Sequence, residues 1–343
     1  MNNKMKRFVR LNILILLYTL LLACDNSIES DNFIDEQISI AGSNWYGHTP
    51  VWIGIERGIF ARNGFKVKWV YLSSSTDRIN DVSADTIQFA SVGQISMLKA
   101  MAANNSKFYW VGIQDNSPGF EGLVAHKNIQ SIADLKGKRI GLPFGTSVEV
   151  TLRQLLEKNN LNLGKNKDVE LINFNVRDIP TIFRANYVDA ALIWEPAFST
   201  LQDISNTKPL ATDKDTDFFK RFKSMAGPDV LVMSKTWCDN NPQRAKRFMK
   251  AYFESVKWVR NSDNLKQTAE LIQGTYIRQP HSEIIRSLKK ISWHNASLQK
   301  ILLSDNKIFT QTDYLLDLLL KYEILQGKRP HFKKWVKYDV LPD

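Results

Sequence analysis

Apolar and polar positions alternate between strand-like and helix-like segments along most of the chain. Residues 37–41 alternate apolar and polar side chains, as a half-buried strand does. Further strands are predicted at 66–71, 86–90, 108–113, 121–126, 139–142, 169–173, 190–194 and 230–234. Helices are predicted at 51–57, 94–103, 131–135, 146–158 and 179–185, and then at 243–260, 265–274, 281–291 and 311–325. Strands that alternate with helices predict an α/β fold with largely parallel sheets.

Two of these helices carry strong start signals. Thr49 offers an N-cap and Pro50 a first-turn proline, and Gly58 predicts the end of the same helix. Thr146 and Glu149 form the T-x-x-E pattern of a capping box. Ligands in α/β sheets bind outside the carboxyl ends of strands, where helices begin. We therefore expect a binding site at the strand-to-helix turns, which are 43–50, 90–96, 143–149 and 194–198.

The first 24 residues have the order of a secretory signal. A basic segment comes first, with Lys4, Lys6, Arg7 and Arg10. The apolar stretch 11–22 follows and is too short to span a hydrocarbon core, which takes roughly 20 apolar residues. Leu21-Leu22-Ala23-Cys24 resembles the lipobox of bacterial lipoproteins, in which the cysteine is lipidated. The alternatives are an ordinary cleaved signal with a chance cysteine and an uncleaved anchor.

These features predict an exported protein. We expect a signal peptide at 1–23, a lipid on Cys24, and a polar, acidic tether at 24–37 that joins the lipid to a soluble body. The protein would then be lipid-anchored to a cell membrane on its periplasmic or extracytoplasmic side.

The positive charge of the chain invites a nucleic-acid hypothesis. There are 46 Lys and Arg residues against 35 Asp and Glu, for a net charge of +11. Four of the positive charges belong to the predicted signal peptide, and an exported protein does not meet chromosomal DNA or ribosomes. We therefore exclude nucleic acid as a partner. The charge that remains favours anions in general.

Neither the cysteines nor the histidines predict a metal site. The chain has two cysteines, and if Cys24 carries a lipid, Cys238 has no disulfide partner. The five histidines show no H-x-x-x-H spacing. Residues 213–217 have aspartates at the spacing of a calcium loop, but Phe218 stands where that loop needs glycine. We predict a solvated loop there, and neither a metal nor a cofactor.

Two of the four turns have the composition of an anion site. Gly145 allows close approach of the backbone, and Thr146 and Ser147 add hydroxyl donors. Gly93 and Gln94 repeat the arrangement at another turn. A helix N-terminus leaves N–H groups unbonded and carries about half a positive charge, so it can hold an anion without a lysine. The alternative is that these residues only cap their helices.

Three sequence segments, taken in their order and spacing, resemble one protein family. They are Ile87-Gln88-Phe89-Ala90-Ser91-Val92-Gly93, Asp134–Gly141 with Pro143–Ser147, and Tyr187-Val188-Asp189-Ala190-Ala191-Leu192-Ile193-Trp194-Glu195-Pro196-Ala197. They resemble the periplasmic substrate-binding proteins of ABC importers for taurine, aliphatic sulfonates and nitrate. The resemblance implies a type II periplasmic-binding-protein fold, with two α/β lobes, a hinge and a central ligand cleft. It places lobe 1 at 38–122 and 230–343, and lobe 2 at 123–229.

Two carboxylates favour a ligand that carries an ammonium group as well as an acid group. Glu121 and Asp229 stand where strands begin near the lobe crossings, and both resemble acidic positions of the taurine-binding branch. A zwitterion would place its ammonium group on such acids and its acid group on helix N-termini. The alternative is a hinge carboxylate paired with a neighbouring lysine or arginine. Glu195, in Trp-Glu-Pro, is closer to the sulfonate and nitrate members, which leaves taurine itself open.

The remaining candidate ligand-binding residues come from the same turns, and the two tryptophans are expected to form apolar walls. These residues are Asn44, Trp45, His48, Phe144 and Trp194.

The combined expectation is a monomeric solute receptor that is not an enzyme. It would close on a small sulfonate-like anion or zwitterion and deliver it to an ABC permease with its ATPase. One alternative is a protein that binds or makes a pyrimidine precursor of thiamine, although the cysteine-rich motif of such synthases is absent. Another alternative is a sensing module that uses the same cleft without transport.

Overall fold

The computed structural model describes residues 36–163 and 167–342. The predicted signal peptide 1–23, Cys24 and nearly all of the predicted tether 24–37 lie outside the described residues. The described residues from 37 onward form one compact unit. Among the described residues, no helix is both long enough and apolar enough to cross a membrane.

A first mixed sheet combines four strands from the N-terminal part of the described chain with one strand from much later in the sequence. Its strands are β1 (Glu36–Gly42), β2 (Phe65–Tyr71), β3 (Phe89–Gly93), β4 (Phe108–Ile113) and β11 (Asp229–Ser234). Their order across the sheet is β2-β1-β3-β11-β4. Strands β1 and β3 run parallel, whereas β11 lies antiparallel between β3 and β4.

A second mixed sheet takes the middle of the chain. Its strands are β6 (Glu121–His126), β7 (Arg139–Leu142), β8 (Glu170–Asn173), β9 (Ala190–Trp194) and β10 (Thr207–Thr212), in the order β10-β6-β9-β7-β8. A short antiparallel pair, β5 (Asp115–Asn116) and β12 (Ser292–Trp293), stands apart from both sheets. The chain therefore passes from the first sheet to the second after β4 and returns after β10.

Helices connect and cover the strands. They are α1 (Thr49–Glu56), α2 (Ile59–Arg62), α3 (Ser75–Ser83), α4 (Gln94–Ala102), α5 (Ser147–Lys158), α6 (Ile179–Arg184), α7 (Ala197–Gln202), α8 (Asp217–Phe222), α9 (Lys235–Asn240), α10 (Pro242–Arg260), α11 (Leu265–Ile272), α12 (His281–Leu288), α13 (Ala296–Ser304) and α14 (Lys307–Lys321). Short 3-10 turns occur at Tyr46–His48, Ala133–Leu135, Asp213–Asp215, Ser262–Asn264 and Phe332–Trp335.

Each sheet has its own apolar core. On one face of the first sheet, Phe248 of α10 packs on Phe89 of β3, with ring centres 4.9 Å apart. The buried side chains of α4 and α14 form a separate cluster that includes Val92 and Val232 of the same sheet. The second sheet is covered by α5 on one side and by α6 and α7 on the other. Two cores built in this way leave the strand ends free to face a common cleft.

The α/β prediction is confirmed, but the expectation of largely parallel sheets is wrong in part. Strand β11 is antiparallel to both of its neighbours, and so is β6. Both strands bring the chain over from the other sheet, without a crossover helix on their own sheet that would set them parallel. The predicted lobe boundaries at 122/123 and 229/230 fall at the starts of these two strands and remain a prediction.

One predicted strand differs from the structure, and one helix was not predicted. The strand expected at 86–90 begins only at Phe89, because the N–H groups of Thr86 and Ile87 bond to the carbonyl of Asp81 and close the end of α3. Helix α3 itself was not predicted, since Ile79 and Val82 are its only buried apolar side chains. So sparse an apolar pattern has no clear helical period.

Gly122 makes the packing of the second sheet sensitive to a single methyl group. A Cβ at this position would lie 2.1 Å from ring atoms of Phe198, on α7. We expect Gly122→Ala to lower the free energy of unfolding by about 1–3 kcal/mol, the usual cost of overpacking. Urea unfolding followed by tryptophan fluorescence measures this change. Gly112→Ala is the control, because its Cβ would meet its nearest neighbours at 3.4 Å; equal effects of both variants would contradict the packing account.

Candidate functional site

A cavity of about 270 Å³ lies between the two sheets. On the side of the first sheet it is lined by segments that follow β1, β2 and β3, which contribute residues 43 and 45, 73–76 and 78, and 93, 95, 96 and 99. On the side of the second sheet it is lined by segments that follow β7 and β8, at residues 143–147 and 175–176. The site therefore lies at strand ends where helices begin, as expected for an α/β fold.

Most of the sequence-predicted site residues meet in this cavity. Those that line it are Trp45, Gly93, Glu121, Phe144, Gly145, Thr146, Ser147, Trp194 and Asp229. They come from turns that are far apart in the sequence. The two tryptophans are joined in the lining by Phe120, whose ring centre lies 5.3 Å from that of Trp45.

Four predicted residues do not line the cavity. Asn44 is exposed outside it. Gln94 is buried, and its amide donates to the hydroxyl of Thr312 on α14 at 2.8 Å. Glu195 accepts hydrogen bonds from the backbone and the hydroxyl of Ser199, so it stabilises the start of α7. In both turns the neighbouring residue, Gly93 or Trp194, faces the cavity instead.

The fourth of these residues, His48, is buried directly behind the cavity wall. Its Nε2 lies 3.2 Å from the hydroxyl oxygen of Ser43, which does line the cavity. Burial, together with the charge of Arg78, holds the pKa of His48 well below its usual value. The ring is therefore neutral at physiological pH and supports Ser43 from behind.

Helix α5 starts at the cavity without the predicted capping box. The hydroxyl of its N-cap, Thr146, donates to the carbonyl of Pro143 at 2.7 Å instead of accepting from the helix. Glu149 accepts from the N–H of Gly145 at 2.7 Å and pairs with Arg153. The N-terminus of α5 thus carries no side-chain cap, and the charge of Glu149 is compensated away from the cavity.

Helix α4 also begins at the cavity. Its N-cap is Gly93, which has no side chain to cap it. The N–H of Gly93 donates to the hydroxyl of Ser75, at the start of α3, at 3.1 Å. Three helix N-termini, those of α3, α4 and α5, therefore border the same cavity.

The segment before and into α3 was missed by sequence reasoning. Residues Ser73–Thr76 line the cavity with four consecutive hydroxyl side chains. Ser74 caps α3 by accepting from the N–H of Asp77. A run of Ser and Thr directly after the predicted strand 66–71 was the available signal.

Arg78 is the buried cation of the site and was also missed. Its guanidinium donates to the carbonyl of Leu72 at 2.6 Å and to the hydroxyl of Ser75 at 2.7 Å. Its Nε is buried without a hydrogen-bond partner. Burial lowers the pKa of Arg78 to about 10, opposed by the charge of Asp229, so the group stays charged at neutral pH.

Three carboxylates line the cavity: those of Asp115 and Glu121 are buried and that of Asp229 is half-buried. Asp115 was not predicted from the sequence. Burial and the charge of Asp229 raise the pKa of Asp115 to about 7, although Asp115 accepts from Gln114 and Ser117. Burial raises the pKa of Asp229 above its usual value, although the positive charge of nearby Arg78 acts in the opposite direction. The buried ionisable side chains that line the cavity thus include more acidic groups than basic ones.

Glu121, like Asp115, has a strongly raised pKa. It accepts from the hydroxyls of Ser147 and Thr151 on α5, the latter at 2.9 Å. Burial and the charge of Asp213 nevertheless raise the pKa of Glu121 to about 8. Asp213, expected in a solvated loop, is in fact buried and accepts from the N–H of Gly119 at 2.6 Å.

Comparison with known structures identifies the fold. The alkanesulfonate-binding protein SsuA from Xanthomonas axonopodis pv. citri, bound to MOPS, matches with a TM-score of 0.70 at 19% identity. The match covers 88% of this chain and 98% of that protein. The architecture is therefore the two-lobed periplasmic-binding-protein fold, and the cavity occupies the cleft between its lobes.

Sequence comparison identifies the family. The NMT1/THI5-like family pattern matches residues 45–264, more than half of the chain, and the chain belongs to this family. A putative aliphatic sulfonates-binding protein of Bacillus subtilis is 26% identical over 229 residues, 65% of each protein. The taurine-binding periplasmic protein of Escherichia coli is 24% identical over 220 residues, 61% of this chain and 65% of that protein. The chain thus spans just under two thirds of the length of these relatives.

The raised pKa of Glu121 predicts how the stability of the folded protein changes with pH. Above pH 7 the unfolded chain has lost the protons of its acids, whereas folded Glu121, with a pKa of about 8, still holds its proton in part. Because the folded state then binds more protons, its stability falls as the pH rises from 7 to 9. The buried histidines, whose pKa values are lowered, do not titrate in this range.

Thermal unfolding at pH 7 and pH 9 measures the effect. We expect a lower melting temperature at pH 9 for the unmodified chain and a smaller drop for Glu121→Gln, which cannot ionise. A melting temperature that is constant or rises over this interval would show that Glu121 ionises normally in the folded protein.

Proposed function

We propose that this protein is the solute-binding component of an ABC importer and binds a small zwitterion that carries a sulfonate-like acid group and an ammonium group. The observation that carries the proposal is the excess of buried carboxylates in a cavity bordered by helix N-termini. Membership of the NMT1/THI5-like family and the names of the sulfonate- and taurine-binding relatives support the same ligand class.

The acidic side chains of the cavity favour a ligand that carries an ammonium group. Asp115, Glu121 and the half-buried Asp229 share the lining of the cavity with one buried guanidinium, that of Arg78. The ammonium of Lys99, which also lines the cavity, is exposed. Ionising all three acids without a further cation is costly, since burial penalises each charge. A ligand ammonium supplies the missing positive charge and makes hydrogen bonds to charged acceptors, which are stronger than those to neutral ones.

The acid group of the ligand belongs at the helix N-termini. The starts of α4 and α5 lack side-chain caps, so their partial positive charge remains available. The N–H groups of Gln94 and Glu149 bond to the carbonyls of Pro228 and Thr146, which leaves the other N–H groups of these first turns as donors. The hydroxyls of Ser73, Ser75 and Thr76 add donors on the side of the first sheet. The rings of Trp45, Phe120 and Trp194 then contact the short carbon chain between the two charged groups.

Binding and delivery follow from the two-lobed architecture. The ligand contacts residues of both lobes, so it stabilises the closed arrangement, which is the usual hinge mechanism of such receptors. The closed protein presents its ligand to a permease, and a separate ATPase supplies the energy. The predicted signal 1–23 and lipid on Cys24 would anchor the receptor to a cell membrane on its periplasmic or extracytoplasmic side.

A ligand screen by isothermal titration calorimetry and thermal shift tests the proposal. The panel contains taurine, alkanesulfonates of increasing length, nitrate and pyrimidine precursors of thiamine. We expect the aminosulfonate to bind most tightly and to raise the melting temperature. Binding of pyrimidine precursors alone, or of no compound in the panel, would overturn the proposal.

Asp229→Asn tests the role of the acids. Loss of one charge-assisted hydrogen bond to the ammonium should weaken taurine binding about 10- to 100-fold and leave ethanesulfonate, which lacks the amine, nearly unchanged. Asp203→Asn is the matched control, because Asp203 is exposed and does not line the cavity. Equal loss for both ligands would contradict a zwitterion site.

A further inference from the structure

Lys99 reaches across the cleft from one lobe to the other. It belongs to α4, which packs on the first sheet, and it lines the cavity. Its Nζ would lie 2.8 Å from a Cβ built on Gly145, which precedes α5 on the side of the second sheet. The ammonium group of Lys99 therefore lies close to the turn that starts α5.

Gly145 makes this approach possible. Its φ is +71°, a conformation that residues with a Cβ rarely adopt, and any side chain there would displace Lys99 Nζ. The glycine thus leaves space for a cation beside the uncapped N-terminus of α5. Two positive elements, a lysine and a helix N-terminus, therefore lie side by side.

The neighbouring acid does not compensate Lys99. Glu149, on the first turn of α5, is bonded to the N–H of Gly145 and paired with Arg153 at 2.7 Å. Within residues 36–163 and 167–342, Lys99 takes part in no ion pair. Glu121 accepts from the hydroxyl of Ser147 at the same turn, but its pKa of about 8 keeps it largely protonated at pH 7. The exposed ammonium of Lys99 is therefore the charge without an ion-pair partner on this side of the cavity.

A second contact shows that the lobes meet beside this part of the cavity. The guanidinium of Arg177, which follows β8 of the second sheet, lies 4.8 Å from the ring centre of Tyr71, at the end of β2. Its neighbours Asn175 and Val176 line the cavity. Each lobe thus extends a cation toward the other, and only Lys99 of the two lines the cavity.

From these contacts we infer that Lys99 is a specificity-determining residue that binds the acid group of the ligand against the N-terminus of α5. This inference rests on the proposed function, because it assigns one end of the ligand proposed above. Since Lys99 belongs to one lobe and α5 to the other, an acid group held by both joins the lobes. Lys99 would thereby couple recognition of the acid to closure of the cleft.

Two ligands of equal length and two variants test this inference. Lys99→Met should weaken binding of taurine and of ethanesulfonate by the same factor, about 10- to 100-fold, because both carry the sulfonate. Asp229→Asn should weaken taurine alone. Lys99→Arg should recover part of the affinity for both ligands, and stopped-flow fluorescence should show that the loss in Lys99→Met lies mainly in faster dissociation.

Lys107→Met is the control for removal of a lysine, because Lys107 is exposed on the same lobe and does not line the cavity. If Lys99→Met binds both ligands within twofold of the unmodified protein, or loses taurine alone, the assignment of Lys99 is wrong and the proposed function stands. If the unmodified protein binds neither ligand, the proposed function falls, and the assignment of Lys99 falls with it.

Discussion

The burial of Asp115 and Glu121 in one cleft, next to the half-buried Asp229, is the constraint on which the site depends. Buried acids are costly unless a cation or donors compensate them, and Arg78 is the one buried cation among the described residues that line the cavity. The cost appears as pKa values of about 7 for Asp115 and about 8 for Glu121. A protein that maintains such a cavity gains stability when a cationic group enters it, which links the fold directly to ligand binding.

Much of the fold could be predicted from the sequence because its strands are short apolar segments with clear boundaries. The expected strands at 108–113, 121–126, 139–142 and 190–194 match the observed ones. Helix α3 was missed because its surface is nearly all polar. The antiparallel directions of β6 and β11 depend on how the chain crosses between sheets, and a local apolar pattern carries no information about that crossing.

The site was predictable where a strand end exposes its last residue, as for Gly93 and Trp194. The next residue in each turn, Gln94 or Glu195, does not line the cavity, because direct sequence neighbours at a helix start face different sides. Asp115 escaped prediction because its carboxylate enters the cavity from a two-residue strand that has no sequence signature. The position of Lys99 depends on the approach of two lobes, which only the three-dimensional structure provides.

Proton release on binding tests the central claim most directly. If an ammonium group enters among acids that are partly protonated at pH 7, these acids must release protons as the ligand binds. Calorimetric titration with taurine at pH 7 in two buffers of different ionisation enthalpy counts these protons. The account predicts a net release with taurine and almost none with ethanesulfonate. Taurine binding with the same heat in both buffers would contradict it.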